Sequence, residues 1–582
     1  MTRLMNASLN NSDSGKDSSH EEKFYFPDPQ VTAPRGRRVQ RSLEVIPGIL
    51  TWFTIIGMIV FSFLTPAAVA VFIIAFDIYW IHRTVFVAFY SVNAFGKLRA
   101  GQKINWWERC RRVSDPDDLA HEIAEQIVDL RTQLRTCGKP RKERKLIKRS
   151  ITERKHFLRE VQQLKDVSVM DWRDIIHVIL LPTATEHAEN IIPSIQAIKD
   201  SKYPNENVII LLAAEEREAE GPRKKKIKTL KDQFDGIFRD FIVTEHIVAE
   251  GEMKCKASNA TFAAKELKKY LEERKIDRKR VILSNFDCES VAHPQYLAAL
   301  TYAYITDPKR LQRAYQPIPL YHNNLWDTNA FVRVIVTSSS FWHMFQSTRK
   351  EMVTFSSHAE PFDTIVKVNY WPVNMISEDS IIFWKGFSRY DGDYHVKPLY
   401  LPVSMDAVLA ETYWKTITNQ YQQKRRWAYG IENFPVIMRA ISPNKKIRFR
   451  KKAHTAFEML EGHWSWATAP LILAILGWLP LLFGGPEFNE SVLAHNLPFI
   501  TRTLMTIAMG GLIVSVSLSF FLLPERPAKY SRKRYIYMFL QWFLVPIIAP
   551  LLGAMPAIDS QTRILIKKYF TEFWVTEKVV KK

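Results

Sequence analysis

The apolar residues of this chain are concentrated towards its two ends, and this segregation constrains the fold more than any other feature. An uncharged run at 46–64 is long enough to cross a bilayer. Two further uncharged runs, 464–485 and 503–523, follow a polar middle that carries most of the charge. The sequence therefore predicts a membrane protein with a large polar domain between its apolar ends.

Basic residues next to the apolar runs predict the orientation of the chain. Four arginines precede the first run: Arg35, Arg37, Arg38 and Arg41. They place the N-terminus in the cytosol. A second apolar stretch, 66–90, completes a hairpin, so the polar middle is also expected to be cytosolic. The densely basic connection 525–534 is expected on the same side. These features indicate a multi-pass protein of the plasma membrane.

The last apolar run, 535–558, decides on which side of the membrane the C-terminal tail lies. It contains three prolines and is followed by a lysine-rich tail. If it crossed the bilayer, that basic tail would lie outside, against the usual charge bias. We therefore expect this run to enter the membrane and return, leaving the tail in the cytosol.

The net charge of +21 calls for an anionic partner. Much of it lies in residues 131–166, a basic and helix-prone segment with a single aromatic residue, Phe157. Without stacking residues, a nucleic-acid partner is not expected, and anionic membrane lipids are. The four cysteines form no CxxC pair, which argues against a zinc ribbon or a disulfide scaffold.

Short apolar runs at 175–181, 208–212 and 280–286, with a helical stretch at 188–199, predict an α/β sheet. Ligands of such sheets bind beyond the carboxyl ends of the strands. Asp287 and Glu289 follow the third run and suit a hard divalent cation, although such a pair is also common in solvated loops. Glu378 and Asp379, set among apolar residues, suit a general base or the first turn of a helix.

A further motif, Gln423-x-x-Arg426-Trp427, combines a guanidinium with a large stacking surface. By itself it also fits a basic amphipathic helix lying on the membrane. Together with the acids at 287, 289 and 379, the segment KASN beginning at Lys256, and FWVTEK at 573–578, it resembles the processive family 2 glycosyltransferases. This family includes cellulose synthase and hyaluronan synthase, and the resemblance covers about residues 175–580.

The resemblance implies a GT-A-type, Rossmann-like α/β cytosolic domain set between N- and C-terminal transmembrane helices. It also implies roles for individual residues. Asp379 is the catalytic base. Asp287 and Glu289 hold Mg²⁺ or Mn²⁺. The nucleotide-sugar donor is bound by Thr183, Glu186, Glu215, Lys256, Thr576 and Lys578. The diphosphate and the acceptor are bound by Gln423, Arg426 and Trp427.

The chain departs from the family pattern at three places. Thr185-Glu186 stands where the family has Asn-Glu, and Glu215-Glu216-Arg217 where it has Asp-Asp-Gly. Glu289 replaces the usual aspartate of the metal motif. Each change keeps an acid nearby.

The expected function is an inverting hexosyl transfer from a nucleotide sugar to a growing polysaccharide. One alternative is the transfer of a single sugar to a lipid or polyprenyl phosphate acceptor, and another is a catalytically impaired membrane scaffold. The expected organisation comprises a disordered tail (1–40), a transmembrane hairpin (41–92), a basic helical region (93–170), the glycosyltransferase domain (171–450), interfacial and transmembrane helices (451–560) and a cytosolic tail with a gating motif (561–582).

Overall fold

The structure is a computed structural model that describes residues 24–31, 33–136, 140–164, 167–572 and 574. Thr576 and Lys578 of the predicted gating motif lie outside these ranges, as do residues 1–23. The helices before the sheet are α1 (Pro34–Leu64), α2 (Pro66–Gly101), α3 (Trp106–Arg112), α4 (Pro116–Thr136) and α5 (Arg141–Gln162).

The N-terminal helix α1 begins at Pro34, inside the range 1–40 that was assigned to a disordered tail. Proline suits the first helical turn because its missing N–H would have no partner there. Ahead of it, Phe26 packs against buried residues of the α/β domain, and the Arg439 guanidinium donates to the Asp28 carbonyl. The predicted tail range therefore includes the first residues of α1 and a segment that contacts the α/β domain.

Eight strands form one mixed sheet in the order β3–β2–β1–β4–β7–β6–β8–β5. Their bounds are β1 (Ile176–Pro182), β2 (Val208–Glu215), β3 (Asp240–His246), β4 (Val281–Asn285), β5 (Val291–Ala292), β6 (Arg313–Leu320), β7 (His358–Pro361) and β8 (His395–Ser404). The first four strands in spatial order run parallel, whereas β7 runs antiparallel to β4 and β6.

Helices cover both faces of the sheet: α6 (Ala188–Lys199), α7 (Glu220–Phe234), α8 (Lys256–Glu273), α9 (Tyr296–Ile305), α10 (Ala330–Gln346), α11 (Phe362–Lys367), α12 (Glu378–Arg389), α13 (Tyr413–Ala428) and α14 (Asn433–Ile441). Alternate residues of β1 supply two cores. Ile179 and Leu181 pack with α6 and α9, while Val178 and Leu180 pack with α8. The predicted α/β, Rossmann-like class agrees with this arrangement.

Two features of the sheet differ from the expectation. The run 280–286 is the fourth strand along the chain, because β3 was missed. Its sequence, DFIVTEH, has only three apolar residues between polar ends. The sequence also does not predict the mixed half of the sheet, in which β6 and β8 pair in parallel while β7 and β5 run antiparallel to their neighbours. One reason is that β6 contains Pro317 and Pro319, and proline weakens a strand pattern.

The apolar helices follow the predicted runs. Within the part of the chain that the structure describes, four helical segments are long and apolar enough to span a membrane: Pro34–Leu64, Pro66–Gly101, Val492–Phe521 and Arg534–Leu565. A fifth is possible if Phe449–Ala474 and Leu476–Phe483, which meet at a bend of 51°, form one span. The helices after the sheet are α15 (Phe449–Ala474), α16 (Leu479–Phe483), α17 (Gly485–Asn489), α18 (Val492–Phe521), α19 (Arg534–Leu540), α20 (Val545–Ile548) and α21 (Met555–Leu565).

Both ends of the segment Arg534–Leu565 contact the α/β domain. Near its start, the Arg333 guanidinium donates to the Gln541 side chain at 2.8 Å. Near its end, Arg425 of α13 forms an ion pair with Asp559 at 3.0 Å. Residues near both ends of the segment therefore contact helices α10 and α13.

Candidate active site

A cavity of about 1580 Å³ opens at the carboxyl ends of β1, β2 and β4 and continues between the apolar helices. It is lined by the ten predicted site residues that the structure describes: Thr183, Glu186, Glu215, Lys256, Asp287, Glu289, Asp379, Gln423, Arg426 and Trp427. Residues that are distant in sequence therefore converge on one space. We call this space the main cavity.

Lys256, the first residue of α8, lies at the centre of the acidic cluster. Its Nζ is 2.8 Å from Asp287 Oδ1, 3.2 Å from Glu378 Oε1 and 3.5 Å from Asp379 Oδ1. Burial opposes the charge of this lysine, but the three carboxylates outweigh that effect and hold its pKa well above the usual value. A single ammonium group therefore links β4 to the beginning of α12.

The two acids at the start of α12 share the site. Helix α12 begins at Glu378 with Ser377 as its N-cap, so both acids lie in its first turn, and both also line the main cavity. The pKa of Glu378 is raised to about 7, first by burial and then by the neighbouring Asp379. The loop before them is fixed by the buried Glu432 carboxylate, which accepts hydrogen bonds from the backbone N–H groups of Ile376 and Ser377 at 2.9 Å.

Replacing Lys256 with methionine should destabilise the protein by about 3 kcal/mol, because it leaves buried carboxylates without their partner. Loss of the ammonium should also raise the pKa of Glu378 further. A carboxyl group whose pKa is higher in the folded state than in the unfolded state lowers the stability of the fold at pH values above its unfolded-state pKa. Protonation of the group removes this loss of stability. The deficit should therefore be small near pH ~5 and largest above pH ~8. Thermal unfolding of the detergent-solubilised protein at both pH values measures it.

Lys446→Met is the matched control for this substitution. It removes the same charge from a side chain that is 79% exposed and pairs only with Asp391 at the surface. Surface pairs contribute little to stability, so this control should unfold like the wild type at both pH values. If Lys256→Met lost the same amount of stability at both pH values, the proposed link between this loss and the protonation of Glu378 would be wrong.

Helix α13 contributes the predicted Gln-x-x-Arg-Trp motif. Arg426 lies within the electrostatic influence of Glu378, Asp287 and Asp379, which oppose the lowering of its pKa by burial. The Trp427 ring lies 6.3 Å from the Tyr321 ring, centroid to centroid. Because all three residues of the motif line the main cavity, an amphipathic helix lying on the membrane does not fully describe this segment.

The end of β2 departs from the family pattern in a way that the structure explains. Glu215 is buried, and one of its oxygens accepts from Arg217 at 2.5 Å. Arg217 occupies the position of the usual glycine and lines the main cavity. The two acids, Glu215 and Glu216, are thus followed by a cation that pairs with the first of them. Nearby, the Asn259 side chain donates to the Ala213 carbonyl at 2.8 Å and joins α8 to this edge.

Several cavity residues were not found from the sequence. Ser356, just ahead of β7, donates to the second oxygen of Asp287 at 2.5 Å. Thr354 donates to the Asp379 carbonyl at 2.6 Å. Tyr321 directly follows β6, so the rule that ligands lie beyond strand ends would have found it had β6 been recognised.

The donor chemistry of Asp287 and Glu289 fits a hard divalent cation, because both are carboxylates and both line the main cavity. Among the described residues, no group of three or more His, Cys, Asp or Glu side chains is placed to hold a metal ion. A cation at this position would need the rest of its ligands from bound substrate and water.

The described end of the tail returns to the same edge of the sheet. Glu572 forms a parallel bridge with Lys254, which precedes Lys256 by two residues. Phe570 packs against Tyr429 with the ring centroids 4.4 Å apart. The chain therefore leaves the described region beside the main cavity.

No known protein family and no curated protein matches this chain. Among solved structures, it is similar to the mannosyltransferase PcManGT from Pyrobaculum calidifontis in complex with GDP-Man and Mn²⁺, at 15% identity and a TM-score of 0.38, over 63% of this chain and 94% of that one. It is also similar to S. aureus TarS 1-349 in complex with UDP-GlcNAc, at 10% identity and a TM-score of 0.32, over 68% and 91% of the two chains. With TM-scores below 0.5, the assignment of an activity depends on the cavity residues themselves.

Proposed function

We propose that this protein is an inverting glycosyltransferase of family 2 type that transfers a hexose from a nucleotide sugar to a growing polysaccharide. Residues 171–450 would form its GT-A-type domain. The observation that carries the proposal is the convergence of Lys256, Asp287, Asp379 and the Gln-x-x-Arg-Trp motif on one cavity. A cation among acids, a candidate base and a stacking ring are the groups that sugar transfer requires.

In this proposal, Asp379 accepts the proton of an acceptor hydroxyl while its oxygen attacks the anomeric carbon. The bond from that carbon to the diphosphate breaks, and the nucleoside diphosphate leaves with the bonding electrons. Lys256 and Arg426 lie close enough to the cluster to stabilise the charge that develops on the leaving group. Trp427 gives the acceptor sugar a surface for stacking.

Asp287 and Glu289 would hold the Mg²⁺ or Mn²⁺ of the resemblance, together with oxygens of the donor diphosphate. Such an ion supplies positive charge to the departing phosphate oxygens. The contribution of the chain is to place these two carboxylates, and Ser356 fixes the orientation of the first. Thr183, Glu186 and Glu215 would lie around the nucleoside.

A second candidate, transfer to a lipid-linked acceptor, is favoured by the walls of the cavity. Beyond the carboxylates, the main cavity is lined by apolar residues of the long helices, including Leu473, Met505 and Leu512. An acceptor with an apolar chain could reach Asp379 from the bilayer along this path. A non-catalytic scaffold is less consistent with the site, because a buried acidic cluster has a cost in stability that binding or catalysis would explain.

The proposed location is the plasma membrane, with the α/β domain and the tail in the cytosol. The contacts of Gln541 and Asp559 with the α/β domain support a re-entrant segment at 535–558. The bridge between Lys254 and Glu572 also supports a shared side. From there, Thr576 and Lys578 would close over the bound nucleotide.

Single cysteines are expected to report this topology. We would place them at three exposed positions, His121, Glu490 and Lys568, after replacing Cys137; the remaining three cysteines are buried and need no change. An impermeant thiol reagent should label intact cells only at position 490, and the other two positions only after permeabilisation. Labelling of position 568 on intact cells would separate the tail from the main cavity.

The function itself is tested by incubating membranes that contain the protein with a panel of radiolabelled nucleotide sugars. A polymeric labelled product supports the first candidate, and label in a solvent-extractable lipid supports the second. No labelled product from any donor of the panel would contradict both.

A further inference from the structure

The charged residues of the main cavity divide it into two parts. Its carboxylates, including Asp287 and Asp379, belong to the α/β domain and the loops around it. The lining residues from α2, α15, α18 and the stretch 545–550 include one charged side chain in the described structure, Arg83, which is a cation. The wall formed by these helices is therefore mostly apolar.

Arg83 is neutralised within the protein, because its guanidinium pairs with Glu461 and also donates to Tyr79. Lys424 is different. Its Nζ donates to Ser339 Oγ at 3.2 Å and lies over the rings of Trp427 and Trp466, 4.7 and 5.6 Å from their centroids. In the described part of the chain, no carboxylate forms an ion pair with it.

The surroundings of Lys424 favour an anionic partner. Burial alone lowers its pKa to about 8, with no contribution from an acid, so the ammonium is still mostly charged at neutral pH. Aromatic rings attract a cation but offer no oxygen acceptor, and one serine oxygen satisfies one of three N–H groups. By contrast, Arg426 on the same helix faces Glu378 and Asp287. The two cations therefore serve different parts of the cavity.

We propose that Lys424 binds an oxyanion carried by the acceptor, and that the enzyme selects an acidic acceptor over a neutral one. This inference rests on the proposed function and specifies its substrate. Lys424 lies beside Trp427, the proposed stacking surface for the acceptor sugar, so an anionic group bound here would lie next to that sugar in the same cavity as Asp379. The oxyanion could be the phosphate of a lipid acceptor or the carboxylate of an acidic glycan.

The test uses the purified full-length protein in lipid nanodiscs, with a nucleotide sugar that the membrane assay identifies. Three acceptor probes are compared: undecaprenyl phosphate, a uronate-terminated oligosaccharide and a neutral oligosaccharide. For Lys424→Gln, we expect the KM for the acidic probe to rise roughly 10- to 100-fold, since a charge-assisted hydrogen bond is lost. The kcat at saturation and the KM for the donor should stay unchanged, and Lys424→Arg should restore most of the affinity.

Lys446→Gln, which removes an exposed charge outside the cavity, is the matched control and should behave like the wild type. If Lys424→Gln raises the KM for undecaprenyl phosphate, the oxyanion is the phosphate of a lipid acceptor. If it raises the KM for the uronate probe, the oxyanion is the carboxylate of an acidic glycan. An unchanged KM of Lys424→Gln for both the undecaprenyl phosphate and the uronate probe would overturn the inference and leave the transferase intact. Failure of the wild type to release nucleotide from any donor would instead overturn the proposed function, and the inference with it. Equilibrium binding of radiolabelled undecaprenyl phosphate and of the labelled uronate probe can be measured without turnover. For at least one of these probes, Lys424→Gln should weaken binding by the factor expected for its KM.

Discussion

Replacing Asp379 with asparagine is expected to lower kcat about 1,000-fold, which is the usual size of a general-base contribution. Asparagine keeps the shape of the side chain but cannot accept the proton of the acceptor hydroxyl. Lys256 retains its contacts with Asp287 and Glu378 in this variant. Donor affinity should therefore change little, and the loss should appear in turnover alone. Initial rates of transfer, together with equilibrium binding of the donor, measure the two effects separately.

Asp393→Asn provides the control for this substitution, since it makes the same chemical change in an exposed residue that pairs with Lys309. It should transfer at the wild-type rate. Wild-type turnover in a correctly inserted Asp379→Asn variant would remove this residue as the base.

Removal of divalent cations is expected to abolish transfer, and Asp287→Asn should reduce kcat/KM by ~100-fold or more. The physical reason is that two carboxylates supply oxygen ligands for a hard ion next to the departing diphosphate. Asparagine at 287 can still accept the hydrogen bond from Ser356, so the local structure should survive. Activity should return with Mg²⁺ or Mn²⁺ after treatment with EDTA, and not with Zn²⁺.

The control for chelation is donor binding by the wild type in EDTA, which should weaken as transfer is lost. Full transfer in excess EDTA would show that the assignment of Asp287 and Glu289 is wrong. In that case Lys256 and Arg426 would have to stabilise the leaving group alone.

Much of the parallel half of the fold could be predicted from the sequence. Strands β1, β2 and β4 are continuous apolar runs, which is typical of strands buried on both faces. Their order along the chain placed Asp287 beyond a strand end, where the structure has it beside Lys256. Local pattern was sufficient there because burial on both faces leaves an unambiguous signal.

Other parts depend on long-range contacts that no local pattern encodes. The three carboxylates around Lys256 come from two elements far apart in sequence, and only folding brings them together. The pairing of Glu215 with Arg217 replaces a motif of the family, so the motif itself could not predict it. Lys424 resembles any basic residue of an amphipathic helix until the cavity wall opposite it is known.

The stoichiometry of the reaction catalysed by the purified protein tests most directly whether it transfers a sugar from a nucleotide sugar to an acceptor. Nucleoside diphosphate released and sugar incorporated into acceptor would be measured in the same samples, for the wild type and for Asp379→Asn. We expect the wild type to produce nucleoside diphosphate and incorporated sugar in equal amounts, and the variant to lose both products. Nucleotide release and sugar incorporation that continue unchanged in Asp379→Asn, or the absence of both products with every donor tested, would contradict this expectation.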